Sequence, residues 1–164
     1  MRAGLTCLSS FSRPLNASVN AEVINHRVGN TSIALKISLN PNTIIDGPDM
    51  ARTLLQTQVS LRRYIATRYH ADEDVLFPSD DPYMSSEANT GCFFGATHYP
   101  MNRPKRLTYG MVDSVLTGVF DVLYRESRHT GANILIVHDY MGMVGFGRVT
   151  KNRPGQWFQS VAVG

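Results

Sequence analysis

Near the start of the chain, apolar and polar residues alternate strictly over two stretches with a turn between them. The alternating apolar residues are Ala17, Val19, Ala21 and Val23 in the first stretch, and Ile33, Leu35, Ile37 and Leu39 in the second. Alternation places apolar side chains on one face of a strand, and Gly29-Asn30 is typical of a turn. The sequence therefore predicts a β-hairpin. The alternation changes phase at Val23-Ile24, which predicts a bulge that re-aims His26.

Two later segments show the 3.6-residue periodicity of amphipathic helices. The first follows Asp46, has Pro48 near its first position, and is expected to end at about Tyr69. The second begins at Thr108, a favourable N-cap residue, and Gly131 is predicted to end it. The predicted core-facing residues of the first helix are Ala51, Leu54, Leu55, Gln58, Leu61, Ile65 and Tyr69.

The rest of the chain supplies further strands and one long connection. Residues 71–90 lack both periods and are rich in acids, which predicts a long loop. Further strands are predicted at residues 92–99, 134–137, 143–150 and 156–163. This order predicts an α+β fold: a curved antiparallel sheet of about five to six strands, with two amphipathic helices packed on one face. Residues 1–15 are expected to form an N-terminal tail and residues 16–164 a single domain.

Composition narrows the classes of partner. The chain has 164 residues, is 43% hydrophobic and carries a net charge of +3, which suits one globular domain. Its cations are dispersed along the sequence, so we expect no nucleic-acid partner. No apolar run is long enough for a membrane helix, so we expect no membrane partner. A cytoplasmic location is the default expectation, and secretion is expected if a leader lies outside this chain.

Sequence motifs predict neither a metal nor a cofactor. The sequence contains no P-loop, HExxH, CxxC or calcium-loop pattern. Its two cysteines, Cys7 and Cys92, exclude a four-ligand structural zinc site. Both a single disulfide and two free thiols fit the cysteine count. Cys92 is interpreted first as a buried apolar residue, since nothing in the sequence indicates the base and depressed pKa that a nucleophile needs.

Candidate catalytic residues lie where two predicted strands end. His98 ends one strand beside Tyr99, and His138 ends another just before Asp139 and Tyr140. An imidazole can relay protons without a cofactor. If the two strands are neighbours, these five side chains would converge at one rim of the sheet. The alternative, which is favoured for each histidine alone, is a structural hydrogen bond at a strand end.

Candidate binding residues lie on the first helix and around the long loop. Arg62 and Arg63 give that helix a basic face, which the acidic loop is expected to meet, or which meets a partner or a second copy of the chain. Apolar side chains of Phe77, Tyr83 and Phe94 are candidates for the lining of a hydrophobic pocket.

The C-terminal part of the chain resembles a group of known sequences. The resemblance lies in Leu107-Thr108-Tyr109-Gly110, in residues 134–137 and in Val144-Gly145-Phe146-Gly147. This pattern is similar to the C-terminal half of uncharacterised small fungal proteins, which pair a helix starting at Leu-Thr with a glycine-rich β-hairpin. The resemblance implies a fungal source and an α+β fold, and many such relatives look secreted. It carries over no catalytic residue.

Two hypotheses for function follow. The first is a small binding or interaction protein, in one version a secreted fungal one, whose partner is another protein or a second copy of this chain. The alternative is a cofactor-independent enzyme acting on a small apolar molecule, such as an isomerase, cyclase or hydrolase, with histidine acid/base chemistry in a partly apolar pocket. They differ because an enzyme needs a concave pocket with convergent polar groups.

Overall fold

The fold is α+β, as predicted. A computed structural model describes residues 21–76, 83–86, 91–99 and 106–151. Its six strands form one open antiparallel sheet in the order β1-β2-β5-β6-β4-β3. The strands are β1 (Val23–Arg27), β2 (Ile33–Ile44), β3 (Tyr83–Ser86), β4 (Phe93–His98), β5 (Thr130–His138) and β6 (Gly142–Thr150). The helices are α1 (Gly47–Arg68) and α2 (Tyr109–Val119), and α2 continues as a π-helical segment, Phe120–Arg125.

The predicted hairpin forms, but the predicted bulge in it is wrong. Gly29 has a φ of +45°, and the Val28 N–H donates to the Ile33 carbonyl across the turn at 3.0 Å. Pairing then runs without a register shift from Val23 to Arg27 of β1. The apolar alternation changes phase at Val23 because β1 is an edge strand of the sheet and leaves Val23 exposed on its outer side. Residues 17–20 of the predicted strand lie outside the described part of the chain.

Both helices pack on the same face of the sheet. The core-facing side chains of β2 and β5 pair directly across the sheet, for example Leu35 with Ile136 and Ile37 with Ile134, and all four are buried. The buried residues of α1 are Gly47, Met50, Thr53, Leu54, Thr57, Leu61 and Ile65. Leu55, which was predicted to face the core, is 46% exposed instead. It lies about 100° around the helix from Leu54, beyond the side that the sheet covers.

The second helix begins as predicted and ends earlier. The Thr108 side chain accepts a hydrogen bond from the Met111 N–H, which caps α2. The helical segment ends at Arg125, so the prediction that Gly131 ends it is wrong. Gly131 lies within β5, where an added Cβ would come within 2.9 Å of the Thr43 side chain. Its missing side chain serves strand packing rather than helix capping.

The connection after α1 contains a short β-strand. Residues 83–86 form the edge strand β3, which pairs with β4, so the prediction of a continuous loop over residues 71–90 is wrong. The alternation that identifies a strand is weak in a segment of only four residues. The predicted strand at residues 156–163 lies outside the described residues. Within the described ranges, neither helix is long and apolar enough to cross a membrane.

Candidate functional site

His98 and His138 lie at the same rim of the sheet but not on neighbouring strands. Both β4 and β5 run antiparallel to β6, which lies between them, so they run parallel to each other and end at the same edge. His98 pairs with Gly145 and His138 pairs with Gly142 across β6. The sheet therefore gathers both strand ends at one rim, with one strand separating the two histidines.

His98 points into the core. It is only 7% exposed, and its Nδ1 accepts a hydrogen bond from the Leu107 N–H at 3.3 Å. Leu107 immediately precedes the cap of α2, so this bond anchors the chain entering the helix to the end of β4. The arrangement is the structural role that the sequence already favoured for a lone histidine.

The residues after β5 are engaged with their neighbours. The Tyr140 N–H donates to Nδ1 of His138 at 3.3 Å, while the Tyr140 side chain itself is 89% exposed. The Arg27 guanidinium donates three hydrogen bonds, of 2.8 to 3.0 Å, to the two carboxylate oxygens of Asp139. Asp139 therefore ties the turn after β5 to the end of β1.

Tyr99 lies on the opposite face of the sheet from His98. Successive side chains of an extended strand alternate between faces, and the ring of Tyr99 packs on that of Phe146 at a centroid distance of 5.1 Å. The five predicted catalytic residues thus share a rim but point in different directions. His98 enters the core, Tyr99 packs on the other face, and Tyr140 extends into solvent.

The predicted binding residues are similarly separated. The Arg62 side chain donates to both carboxylate oxygens of Asp113 on α2, at 2.8 and 3.0 Å. This contact raises the pKa of the Arg62 guanidinium. Phe94 is fully buried in the core. Tyr83 lies in β3, of which the backbone alone is described, and Phe77 lies outside the described residues.

The first part of the acidic loop docks on α2, and the Glu73 carboxylate also acts electrostatically on Arg62 of α1, whose pKa it helps to raise. The Gly110 N–H donates to the Glu73 carbonyl at 2.9 Å, and the Tyr109 N–H donates to the Val75 carbonyl at 3.1 Å. The Asp72 carboxylate accepts a hydrogen bond from the Asp74 N–H within the same loop. In residues 71–76 the docking is therefore made by backbone groups, and the carboxylates stay at the surface.

One side of α1 carries exposed apolar residues around a shallow groove. The groove encloses about 340 Å³ and is lined by Leu55, Gln56, Val59, Ser60 and Arg63. We call this surface the outer face of α1. Val59 is 58% exposed and Leu55 46%, on the opposite side of the helix from the buried residues. Sequence reasoning found Arg63 but missed the groove, because it assigned Leu55 to the core.

Three tyrosines form a cluster where the end of α1 meets the start of α2. The ring centroids of Tyr64, Tyr69 and Tyr109 are 5.4 to 5.7 Å apart in all three pairs. We call them the tyrosine cluster. Hydrogen bonds from the Tyr64 and Tyr109 hydroxyls lower the pKa of Tyr69, and Arg68 lowers it further. Burial, together with its bond to Tyr69, raises the pKa of Tyr109. The cluster escaped the sequence analysis because Tyr109 lies on a different helix.

The backbone after the tyrosine cluster is strained. His70 and Ala71 have φ values of 53° and 65°, in the left-handed region that non-glycine residues rarely adopt. The Tyr69 and Ala71 N–H groups both donate to the Ile65 carbonyl, which closes the end of α1. This turn leads the chain from the end of α1 directly into the loop that docks on α2.

The described residues offer no evident metal centre. No group of three His, Cys, Asp or Glu side chains is arranged there to hold a metal ion. Comparison of the chain with protein-family models, with curated proteins and with solved structures finds no match.

Proposed function

We propose that this protein is a protein-interaction module, and that the outer face of α1 binds an acidic amphipathic helix of a partner protein. The observation that carries the proposal is the exposed groove at Leu55, Val59 and Arg63 on a helix whose other side is anchored in the core. An amphipathic helix binds by laying its apolar face, with anchor side chains about one turn apart, into a hydrophobic groove.

The apolar part of this surface is compact and rigidly held. Leu55 and Val59 are four residues apart on a helix, so their side chains lie side by side on its surface. The opposite side of α1 is fixed to the sheet by buried residues that include Met50, Leu54 and Leu61. Because the scaffold is fixed, a partner that covers both exposed side chains need not order the helix first.

The charges around the groove select the partner. Arg52 lies three residues before Leu55, and Arg63 lies four residues after Val59, so one arginine flanks the apolar pair on each side. A partner helix that carries acids about one turn to either side of its own apolar pair complements this arrangement. The net charge of +3 favours the approach of such a partner.

A second copy of the same chain fits the surface less well. If two α1 helices packed antiparallel through their outer faces, Arg52 of one copy would approach Arg63 of the other. Like charges placed opposite one another disfavour association. We therefore commit to a different, acidic protein as the occupant.

A designed peptide tests the apolar part of the proposal. The probe is a labelled synthetic helix with two leucines four residues apart and glutamates one turn to either side, and binding is followed by fluorescence anisotropy. We expect saturable binding, and we expect the double variant Leu55→Ser/Val59→Ser to weaken it by about tenfold or more, because both anchors are lost. The matched control is Ile44→Ser on β2, a residue that is 68% exposed outside this face.

Charge reversal tests the electrostatic part. Arg63→Glu is expected to weaken binding of the acidic peptide, and Lys36→Glu, which changes the net charge equally on an exposed residue of β2, is expected to do so much less. A peptide with lysines in place of the glutamates should bind the wild-type protein weakly. Equal losses for Arg63→Glu and Lys36→Glu, equal affinity for both peptides, or no saturable binding would contradict the proposal.

A further inference from the structure

The side of the sheet opposite the two helices points to a second binding site, which does not depend on the outer face of α1. We call this side the open face, and its main residues are Lys36, Thr97, Tyr99, Leu135, Phe146 and Arg148. We infer that the open face binds single-stranded nucleic acid, with bases stacked on its aromatic rings and phosphates held by its cations.

Strand register identifies the residues of the open face. Leu35 and Ile37 of β2 are buried beneath the helices, so Lys36 between them projects from the other side of the sheet. One row of directly paired residues crosses four strands there, and its members are Lys36, Leu135, Phe146 and Thr97. Lys36 is exposed and the other three are partly exposed. The open face is therefore accessible to a ligand.

The charged residues of the strands give the open face a positive potential. The six described strands contain three cations, Arg27, Lys36 and Arg148, and no Asp or Glu. Arg27 pairs with Ala34 in the register and Arg148 precedes the buried Val149, so both project from the same side as Lys36. These cations are dispersed along the sequence, which predicted no nucleic-acid partner, but the sheet brings all three to one face.

Acidic residues of the described chain lie almost entirely elsewhere. Asp139, just after β5, is held by Arg27. The other described acids lie before β1, on or next to the helices, or in the loop after α1. Within the described ranges, Lys36 and Arg148 form no ion pair. Their positive charge is therefore available to a polyanion, and phosphates supply most of the affinity in nucleic-acid binding.

An aromatic pair lies among these cations. The rings of Tyr99 and Phe146 are 5.1 Å apart between centroids, and both residues are partly exposed. Phe146 lies two residues from Arg148 along β6, about 7 Å, and two strands from Lys36, about 10 Å. Bases of single strands stack on aromatic side chains while neighbouring cations follow the phosphates. The open face presents both kinds of contact side by side.

The shape of the open face favours a single strand over a duplex or a second copy of the chain. Proteins read duplex DNA with a helix or a ribbon that enters a groove, whereas both described helices lie on the other side of the sheet. Bases of a single strand are free to lie flat on exposed rings. Two copies that packed through their open faces would bring like charges together, which disfavours association.

Three labelled oligonucleotides test stacking by fluorescence anisotropy with the full chain at low salt. They are an oligothymidine of about ten residues, an abasic oligonucleotide with the same phosphates, and a duplex of the same length. We expect saturable binding of the oligothymidine, and binding of the other two to be weaker by about tenfold or more, because they offer no free bases. Phe146→Leu should weaken oligothymidine binding about fivefold or more and leave abasic binding unchanged. The matched control is Tyr64→Leu, at a partly exposed ring on α1, which should change neither.

The salt dependence of oligothymidine binding tests the cations. For single strands, each lost phosphate contact reduces the slope of log affinity against log salt by about 0.7. We expect this reduction, with weaker binding, in both Lys36→Gln and Arg148→Gln. Arg125→Gln, which loses the same charge at a 70% exposed side chain outside the open face, should leave the slope unchanged. Because Lys36 is exposed, Lys36→Gln also decides the question if circular dichroism shows that Phe146→Leu does not fold.

Several results would overturn the inference. Equal affinity for the oligothymidine and the abasic oligonucleotide would show attraction of phosphates without stacking. Equal changes of slope in Lys36→Gln, Arg148→Gln and Arg125→Gln would show that the contacts are not concentrated on the open face. Tighter binding of the duplex, or no saturable binding of the oligothymidine, would exclude a site for single strands.

Discussion

At the scale of single residues, burial determines which reactive groups are available. Cys92 is fully buried, as expected for a cysteine interpreted as an apolar residue. Burial raises its pKa to about 11, so the thiolate needed for nucleophilic chemistry is disfavoured at neutral pH. His98 is likewise held in the core by its bond to the Leu107 N–H.

The Cys92 thiol is expected to make the fold sensitive to alkaline pH. In the unfolded chain this thiol ionises near its ordinary pKa of about 8.5, whereas in the folded protein it ionises at about 11. Below the unfolded pKa both states are neutral and the stability is complete. Between the two values the unfolded state loses its proton first, so the free energy of unfolding should fall by about 3 kcal/mol as the pH rises.

Urea unfolding at a series of pH values measures this effect. The variant Cys92→Ala has no thiol, so the difference in unfolding free energy between wild type and variant isolates the contribution of Cys92 from other alkaline titrations. We expect the difference to change across this pH window and to be constant at neutral pH. A difference that is constant over the whole range would show that the thiol does not titrate differently in the two states.

For single residues, the surroundings of the candidate reactive side chains were only partly predictable from the sequence. His98 and His138 were correctly placed near strand ends, because strand periodicity is a local signal. The bond of His98 to Leu107 and the meeting of Tyr69 with Tyr109 depend on packing between distant segments. No local pattern encodes such contacts, so the tyrosine cluster could not be found from spacing alone.

At the scale of elements, the glycine-rich strand β6 shows how sequence and packing combine. Glycines within a strand often mark positions where another group approaches the backbone closely. Gly145 is such a position, since an added Cβ would lie 2.7 Å from the Thr97 carbonyl oxygen and 3.0 Å from the Leu107 side chain. At Gly147 the nearest atoms would be 3.4 Å away or more. The two glycines therefore have different roles in one strand.

This difference predicts opposite outcomes for two matched substitutions. Gly145→Ala should lower the free energy of unfolding by about 1–3 kcal/mol, because the Thr97 carbonyl belongs to the paired strand and must shift. Gly147→Ala should change it by less than about 1 kcal/mol, since space exists and alanine restricts the unfolded chain. Equilibrium urea unfolding of both variants provides the measurement. Equal losses would refute the assignment of close packing to Gly145 alone.

The other elements were predictable to different degrees. The hairpin and α1 are long and periodic, so their existence followed from the sequence. The error at Leu55 arose because a wide apolar stripe covers both the core side and the outer face of α1, and periodicity does not show where the sheet stops covering it. The short edge strand β3 and the π-helical end of α2 carry too few residues for a periodic signal.

At the scale of the whole molecule, the sheet and its two helices form a rigid support for surfaces that lie on α1. One side of α1 is buried against the sheet, its outer face presents Leu55 and Val59, and its end carries the tyrosine cluster. The sheet rim that carries His98 and His138 is a third location, where the side chains are tied to neighbouring backbone groups. The proposed partner surface therefore lies away from the strand ends that the sequence emphasised.

An amide-resolved NMR titration of the isotope-labelled full chain with the acidic amphipathic peptide tests most directly where the peptide binds. We expect chemical-shift changes concentrated in α1 between Arg52 and Ala66, with smaller changes at the rim residues 138–142, and we expect them to weaken as salt is added. Changes concentrated at the rim or on the sheet, or an unperturbed α1 at saturating peptide, would contradict the assignment of the outer face of α1 as the binding surface.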